Sequence, residues 1–356
     1  MFPHTYAPED VTVLLERLHP EFLSKDERAA RIAAGTHYNE VISREEVPDQ
    51  AFLDLFKTQT ERFGDQLAHL FLSLASQILL DAQTREVQPV LVSLVRAGTP
   101  TGILLKRTLA FWGVQAPHFT VSIVQGRGFD EVAIESILSQ GYKPEQLYFI
   151  DGWTGKGVVR NELSFALKKM GDRLGQFHDA LYVLSDIAGV AEYAATREDC
   201  LITSALLSGP ISGLVSRSIY QGTPEAPRMH GAAYLEYMEP HDLSRYFVDT
   251  IAGCIKQAID RGHTTLHQVT VKETASVRML EFYQLVANRL DINNPTFLKP
   301  GIGESTRLFQ RKKPALLIVR DTEDPEVAHL LAMARAQDVQ IEIWEDMSLK
   351  ACAITP

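Results

Sequence analysis

The chain has 356 residues, 45% hydrophobic and 22% charged, a globular composition that excludes disordered, collagen-like and low-complexity proteins. Its length predicts about two domains. The net charge of −10 excludes a general basic coat for nucleic acid but leaves room for a local basic patch. Three cysteines, Cys200, Cys254 and Cys352, form no C-x-x-C pair, which argues against a cysteine-rich zinc site and a secreted disulfide scaffold. The N-terminus, Met1-Phe2-Pro3-His4, shows no signal peptide. The most apolar stretch, Leu67 to Leu80, is broken by His69, Ser73, Ser76 and Gln77 and is too short to span a bilayer. These features predict a cytoplasmic mixed α/β protein with no membrane partner.

Along the chain, residues 1–65 read as polar with scattered helix. Leu14, Leu15 and Leu18 have helical spacing, and Pro20 ends that run. Asp65 to Asp81 reads as a helix. Pro89 to Val95 is a continuous apolar run that suits a buried parallel strand. Gly98 and Pro100 mark a turn before a helix from Gly102 to Trp112, and Thr120 to Val124 is a second strand. A third strand runs from Gln146 to Ile150 and ends at Asp151. The glycine-rich loop Gly152–Gly157 follows, then a helix from Val158 to Met170. Ala180 to Leu184 is a further strand ending at Ser185-Asp186. Strands alternating with helices predict a parallel sheet with right-handed crossovers. Residues 221–228 read as a loop. Ser244 to Asp260 reads as a helix leading to a domain boundary near Arg261-Gly262. The last part has its own rhythm: helix Val277–Leu290, strand Ala315–Val319, helix Pro325–Ala336 with Asp324 as N-cap, and strand Gln340–Trp344. The expected division is 1–260 and 261–356.

Ligands of parallel sheets bind beyond the strand C-termini, where three loops draw attention. In the first, Arg96 precedes Ala97, Gly98 and Thr99. Backbone N–H groups, a helix N-terminus and a guanidinium there suit an anion; a tight turn with a surface arginine accounts for it equally well. In the second, Asp151-Gly152-Trp153-Thr154-Gly155-Lys156-Gly157, three glycines permit close backbone approach. Thr154 and the N–H groups of Gly155, Lys156 and Gly157 can cradle a phosphate, and Asp151 can accept from ribose hydroxyls. It satisfies neither the Walker A pattern nor G-x-G-x-x-G. Trp153 either stacks a base or packs the loop down. The third loop, Gln125 to Asp130, carries Arg127 between two glycines; a solvated loop is the competing reading.

The segment Val90 to Gly102 resembles the pyrophosphate-side loop of type I phosphoribosyltransferases, and Leu147 to Gly157 resembles their signature loop for 5-phosphoribosyl 1-pyrophosphate. Gly152 stands where that family has a second acid. Further segments fit one group: His37–Glu40, Ser185–Gly189, Asp199–Ile202, Ser212–Arg217 and His230–Tyr234. Together they are similar to the StiP-type proteins of bacterial tellurite-resistance and stress gene clusters. Those proteins resemble a phosphoribosyltransferase domain fused to a Pelota-type RNA-binding domain, and are also called "cysteine protease StiP". The C-terminal part agrees: Gly301 to Arg307 (GIGESTR), then Arg311-Lys312-Lys313 and Leu316 to Val319, resemble the L7Ae/Pelota fold. Gly303 stands where kink-turn binders carry an Asn. From His263 onward 11 Lys and Arg face 12 Asp and Glu, against 24 and 33 before it.

The resemblance implies an α/β phosphoribosyltransferase-like domain and a smaller Pelota-like domain. It implies transfer of a phosphoribosyl group from its pyrophosphate donor to a base-like acceptor. Asp151, Arg96 and Arg127 would be the catalytic residues. Ala97, Gly98, Thr99, Gly152 to Gly157, Ser185 and Asp186 would bind substrate. Mg²⁺ would be held at Asp151, against the leaving pyrophosphate. Gly301, Glu304, Arg307, Arg311, Lys312 and Lys313 would meet RNA. A homodimer is a further expectation. Two other functions stay open. One is a cysteine peptidase using Cys200 with His230 as its base. The other is a non-catalytic RNA-binding protein that senses a nucleotide. His263 and His267 lack the Glu of H-E-x-x-H and read as incidental.

Overall fold

The computed structural model describes residues 2–124, 128–220, 222, 227–263, 271–292 and 294–355. Arg127 and His267 lie outside them, as does most of the 221–228 loop. Six strands form the larger sheet: β1 (Thr12–Val13), β2 (Val90–Leu94), β3 (His118–Val121), β4 (Leu147–Thr154), β5 (Leu181–Asp186) and β6 (Tyr193–Thr196). Their order is β1-β3-β2-β4-β5-β6, and every pair is parallel. Along β2 and β4, alternate residues feed two cores. Leu91, Tyr148 and Ile150 pack on one face, and Val90, Val92 and Phe149 on the other. Strands buried on both faces read as unbroken apolar runs, which is why their sequences are so apolar.

Ten α-helices are described: α1 (Lys25–Ala33), α2 (Gln50–Arg62), α3 (Gly64–Thr84), α4 (Gly98–Phe111), α5 (Glu131–Leu138), α6 (Val158–Leu174), α7 (Ser244–Asp260), α8 (Lys272–Leu290), α9 (Gly301–Phe309) and α10 (Ala328–Ala336). Helices α3, α4 and α7 cover the first face, and α5 and α6 the second. A second sheet follows α8, of β7 (Leu298–Pro300), β8 (Leu316–Val319), β9 (Gln340–Ile343) and β10 (Ala351–Ile354), in the order β7-β10-β8-β9. Strands β8 and β9 pair parallel, and β10 pairs antiparallel with β7 and β8. No helix among the described residues is long and apolar enough to cross a membrane.

Four expectations need correction. Gly98 and Pro100 do not mark a turn before the helix; α4 begins at Gly98 and takes Pro100 into its first turn, where its missing N–H is no loss. Leu14, Leu15 and Leu18 do not form a helix. Thr12–Val13 pairs with β3 and Glu16–Arg17 pairs with Gly231–Ala232, so partners in the sheet override local spacing. Strand β4 does not end at Asp151. It continues to Thr154 because Asp151, Trp153 and Thr154 stand opposite Val183, Ser185 and Asp186 of β5. Helix α10 starts at Ala328, not Pro325; Asp324 accepts from the Glu326 N–H at 2.9 Å and closes a turn before it.

Candidate functional site at the seam between the two sheets

Strands β2 and β4 are neighbours, so the Arg96 and Trp153 segments lie side by side. A Cβ built on Gly152 would sit 3.2 Å from the Ala97 side chain. Arg96 does not hang free. It pairs with Glu45 at 2.6 Å and reaches the Val215 carbonyl at 3.4 Å. Glu45 carried no motif in the sequence. A Cβ on Gly98 would meet the Ile150 carbonyl at 2.5 Å. Thr99 is buried and shares a hydrogen bond with Thr120 at 2.8 Å. Both serve packing of α4 on the sheet rather than a ligand.

The glycine-rich segment faces the C-terminal sheet. Thr154 accepts from the Gly157 N–H at 3.2 Å, and Gly157, at φ +77°, starts α6. Lys156 donates to the Pro295 carbonyl at 2.6 Å. Burial, then the charge of Lys299, pushes the Lys156 pKa down to about 8. Gly155 lies against α9, where a Cβ would come 3.1 Å from Glu304 and 3.4 Å from the Pro300 carbonyl. The expected phosphate cradle is thus occupied by the chain's own C-terminal part. Trp153 donates to Glu304 at 3.3 Å, and Arg307 stacks over its ring at 5.7 Å. Trp153 therefore packs the segment down.

The start of α9 is equally engaged. Gly301 takes φ +81°, and a Cβ there would strike Ile187 at 2.6 Å; one on Gly303 would strike the Trp153 indole at 2.8 Å. Asp199 clamps the two sheets, accepting from the Ile302 N–H at 2.8 Å, the Lys350 N–H at 2.8 Å and the Ala351 N–H at 3.3 Å. A carboxylate at a helix N-terminus is favourably placed. Burial nevertheless pushes the Asp199 pKa up to about 6, against those three N–H groups. Burial would raise Glu304 too, but Arg307, the Trp153 indole, Arg311 and Lys299 hold it below the usual carboxylate range. Gly301 and Glu304, expected to meet RNA, are instead held against the larger sheet. Arg311, Lys312 and Lys313 are exposed.

Ser185 donates to the Glu198 carbonyl at 3.0 Å. Asp186 is fully buried. It accepts from the Val190 and Ala191 N–H groups at 3.1 and 2.9 Å and pairs with Arg197. It binds the turn after β5, not a ligand. Asp151 is pushed up to about 6 by burial, against the Gly152 N–H and Arg307. A carboxylate that accepts from the Gly152 N–H at 2.8 Å and has a guanidinium for a neighbour does not fit a magnesium ligand. Among the described residues no cluster of three His, Cys, Asp or Glu stands to complete such a site.

Cys200 follows the Asp199 clamp. It lines a cavity of about 500 Å³ at the seam, with Phe63, Gln66, Asp199, Asp324, Glu326 and Lys350. It also lines a narrow second cavity against Trp153, Thr154, Ser185 and Glu304. Burial, then the charges of Glu326 and Asp199, raises its thiol pKa well above 9, opposed by Lys350 and a hydrogen bond with Ser185. His230 is elsewhere. Its ring Nδ1 bonds Ser122 at 2.8 Å, its backbone N–H donates to Asp130 at 2.6 Å, and burial lowers its pKa to about 4. Ser122 lies just past β3 and Ser185 lies on β5, with β2 and β4 between. Three strand spacings amount to roughly 14 Å. The expected Cys200–His230 pair is therefore not formed. Cys352 is fully buried in β10, and the Cys254 sulfur lies 2.7 Å from where a Gly64 Cβ would be.

Fold and site thus define an α/β protein with two main sheets whose motif residues close upon one another beside a half-buried thiol. Residues 4–252 match the family described as "Tellurite-like stress resistance cysteine protease StiP", and residues 278–355 match the "PELOTA RNA binding domain". "Cysteine protease StiP" of Acinetobacter baylyi is 32% identical over 365 residues, covering 99% of this chain and 94% of the relative. The chain belongs to the StiP family. These matches overturn the transferase expectation: both family and relative are named as a peptidase. The phosphoribosyl donor falls with it, and the seam geometry agrees, since the loop meant for its phosphate holds α9.

Proposed function

We propose that the chain is a cysteine peptidase with Cys200 as nucleophile, latent while the seam is closed. Its parts divide near residue 261, and its C-terminal part binds RNA. The observation that carries the reading is that Cys200 lines both the 500 Å³ cavity and the narrow one, whereas neither Cys254 nor Cys352 lines either. The families' names supply the reaction and the RNA.

Thioester formation needs the thiol to give up its proton and the thiolate to attack a peptide carbonyl carbon; the C–N bond breaks, the departing amine takes up that proton, and water then cleaves the thioester to a carboxylic acid and the restored thiol. Glu326 and Asp199 disfavour the thiolate and Lys350 favours it. Lys350 is held by Asp324 at 3.1 Å and also by Glu326. Loosening the seam exposes the thiol to water and lowers its pKa.

The test is hydrolysis of a fluorogenic peptide library by the native chain and by Asp199→Ala, which removes the clamp. Hydrolysis should appear or rise in Asp199→Ala, vanish when Cys200→Ser is added, and survive Cys254→Ser. Cleavage that persists without Cys200, or its absence in both proteins, rejects the reading.

A further inference from the structure

We propose that Arg96 and Arg217 of the larger part, with Arg307 and Arg311 of the smaller, form one anion site that takes a ligand carrying two or more phosphate groups. The chain brings them together by a series of contacts. Arg96 reaches the Val215 carbonyl at 3.4 Å. Two residues on, Arg217 donates to the Tyr38 carbonyl at 2.7 Å and to that of Val41. Arg28 donates to the same two carbonyls, each at 3.3 Å. From the other side, Gln310 ends α9 by donating to the Ala205 and Leu206 carbonyls at 2.8 and 2.6 Å and accepting from Ser208 at 3.2 Å. The next residue, Arg311, is thereby carried to the segment that ends in Val215 and Arg217. Arg307 lies one turn before Arg311, over Trp153.

The charges do not cancel. Glu45 pairs with Arg96 and Glu304 with Arg307 at 3.3 Å. Among the described residues, no carboxylate lies within ion-pair distance of Arg217 or Arg311, although Glu45 and Glu304 act on their charges from further off; Arg217 hydrogen-bonds backbone carbonyls alone. Their mutual repulsion is felt. The charge of Arg307 first, with those of Arg96 and Arg217, lowers the Arg311 pKa to about 10. Burial, then Arg28 and Arg96, lower that of Arg217 to about 10. Like charges held together cost stability unless an anion offsets them. Among the described residues, Arg28, Arg217 and Arg311 are thus guanidiniums without an ion-pair partner, which suits an anion of two or more charges, and planar forks fit phosphate oxygens. Exposed Arg311 opens the site to solvent. The site does not depend on the peptidase reading, because none of its groups acts on Cys200.

The test is calorimetric titration of the full chain with inorganic tripolyphosphate at low ionic strength. Arg311→Ala should weaken binding about tenfold or more. Arg335→Ala, which removes the same charge from an exposed position on α10, should leave it unchanged, and so should Cys200→Ser. Circular dichroism checks that each variant folds. A single-stranded RNA of about ten nucleotides that displaces tripolyphosphate and shows the same loss identifies a nucleic-acid backbone as the phosphate source. Tripolyphosphate binding without that displacement identifies a free polyphosphate. No tripolyphosphate binding by the folded native chain, or equal losses in Arg311→Ala and Arg335→Ala, overturns the proposal.

Discussion

At neutral pH the Cys200 thiol keeps its proton, because burial and two nearby carboxylates raise its pKa well above 9. The thiolate is the reactive form, so alkylation of Cys200 by iodoacetamide should climb about tenfold per pH unit from pH 7 to 9 with no plateau. Mass spectrometry of the modified peptide reads that rate, and a plateau near neutrality would show an already activated thiol. The motif residues were legible in the sequence, but their partners were not. Arg96 announced itself by its place after an apolar strand, whereas Glu45, its counter-ion, is 51 residues away and sits in no pattern. Cys200 and His230 are plausible partners by residue type; only the sheet order, which places β2 and β4 between their surroundings, separates them.

Helix α9 is the element on which the seam turns. Its first residue needs a left-handed backbone and its third needs no side chain, since Trp153 fills that space. Gly301→Ala should cost about 1–3 kcal/mol of stability, from backbone strain plus contact with Ile187; urea denaturation followed by Trp153-sensitive fluorescence measures it, and an unchanged midpoint would mean that the seam is loose. Long amphipathic elements were readable. Helix α7 spans Ser244–Asp260, the bounds read from the sequence. Elements that depend on distant partners were not. β10 (Ala351–Ile354) is fully buried between β7 and β8, yet four residues of small and apolar character say little alone. Strand β4 runs past Gly152 because β5 supplies its ladder, against the local tendency of glycine to end a strand.

Over the whole molecule, the acidic excess lies in the larger part, while the basic residues of the smaller part gather between Lys299 and Lys313. The structure gives that asymmetry a use. It packs the start of α9 into the loop segment of β4, draws the seam up beside the half-buried Cys200 and brings Arg311 within reach of the charges of Arg96 and Arg217. The parallel sheet and the presence of a second α/β unit were legible from strand–helix alternation and length. Closure of one part over the other was not, because it rests on glycines whose missing side chains admit a neighbour, and on one carboxylate, Asp199, reaching three N–H groups across the seam. The central claim is that Cys200 is the peptidase nucleophile under that closure. A peptide vinyl sulfone, which traps a catalytic thiolate as a stable thioether, tests it most directly when applied to native chain and Asp199→Ala with the adduct mapped by mass spectrometry. The account predicts an adduct on Cys200 that forms slowly in the native chain and much faster in Asp199→Ala. Labelling confined to Cys254 or Cys352, or no labelling of Cys200 once the clamp is removed, would contradict it.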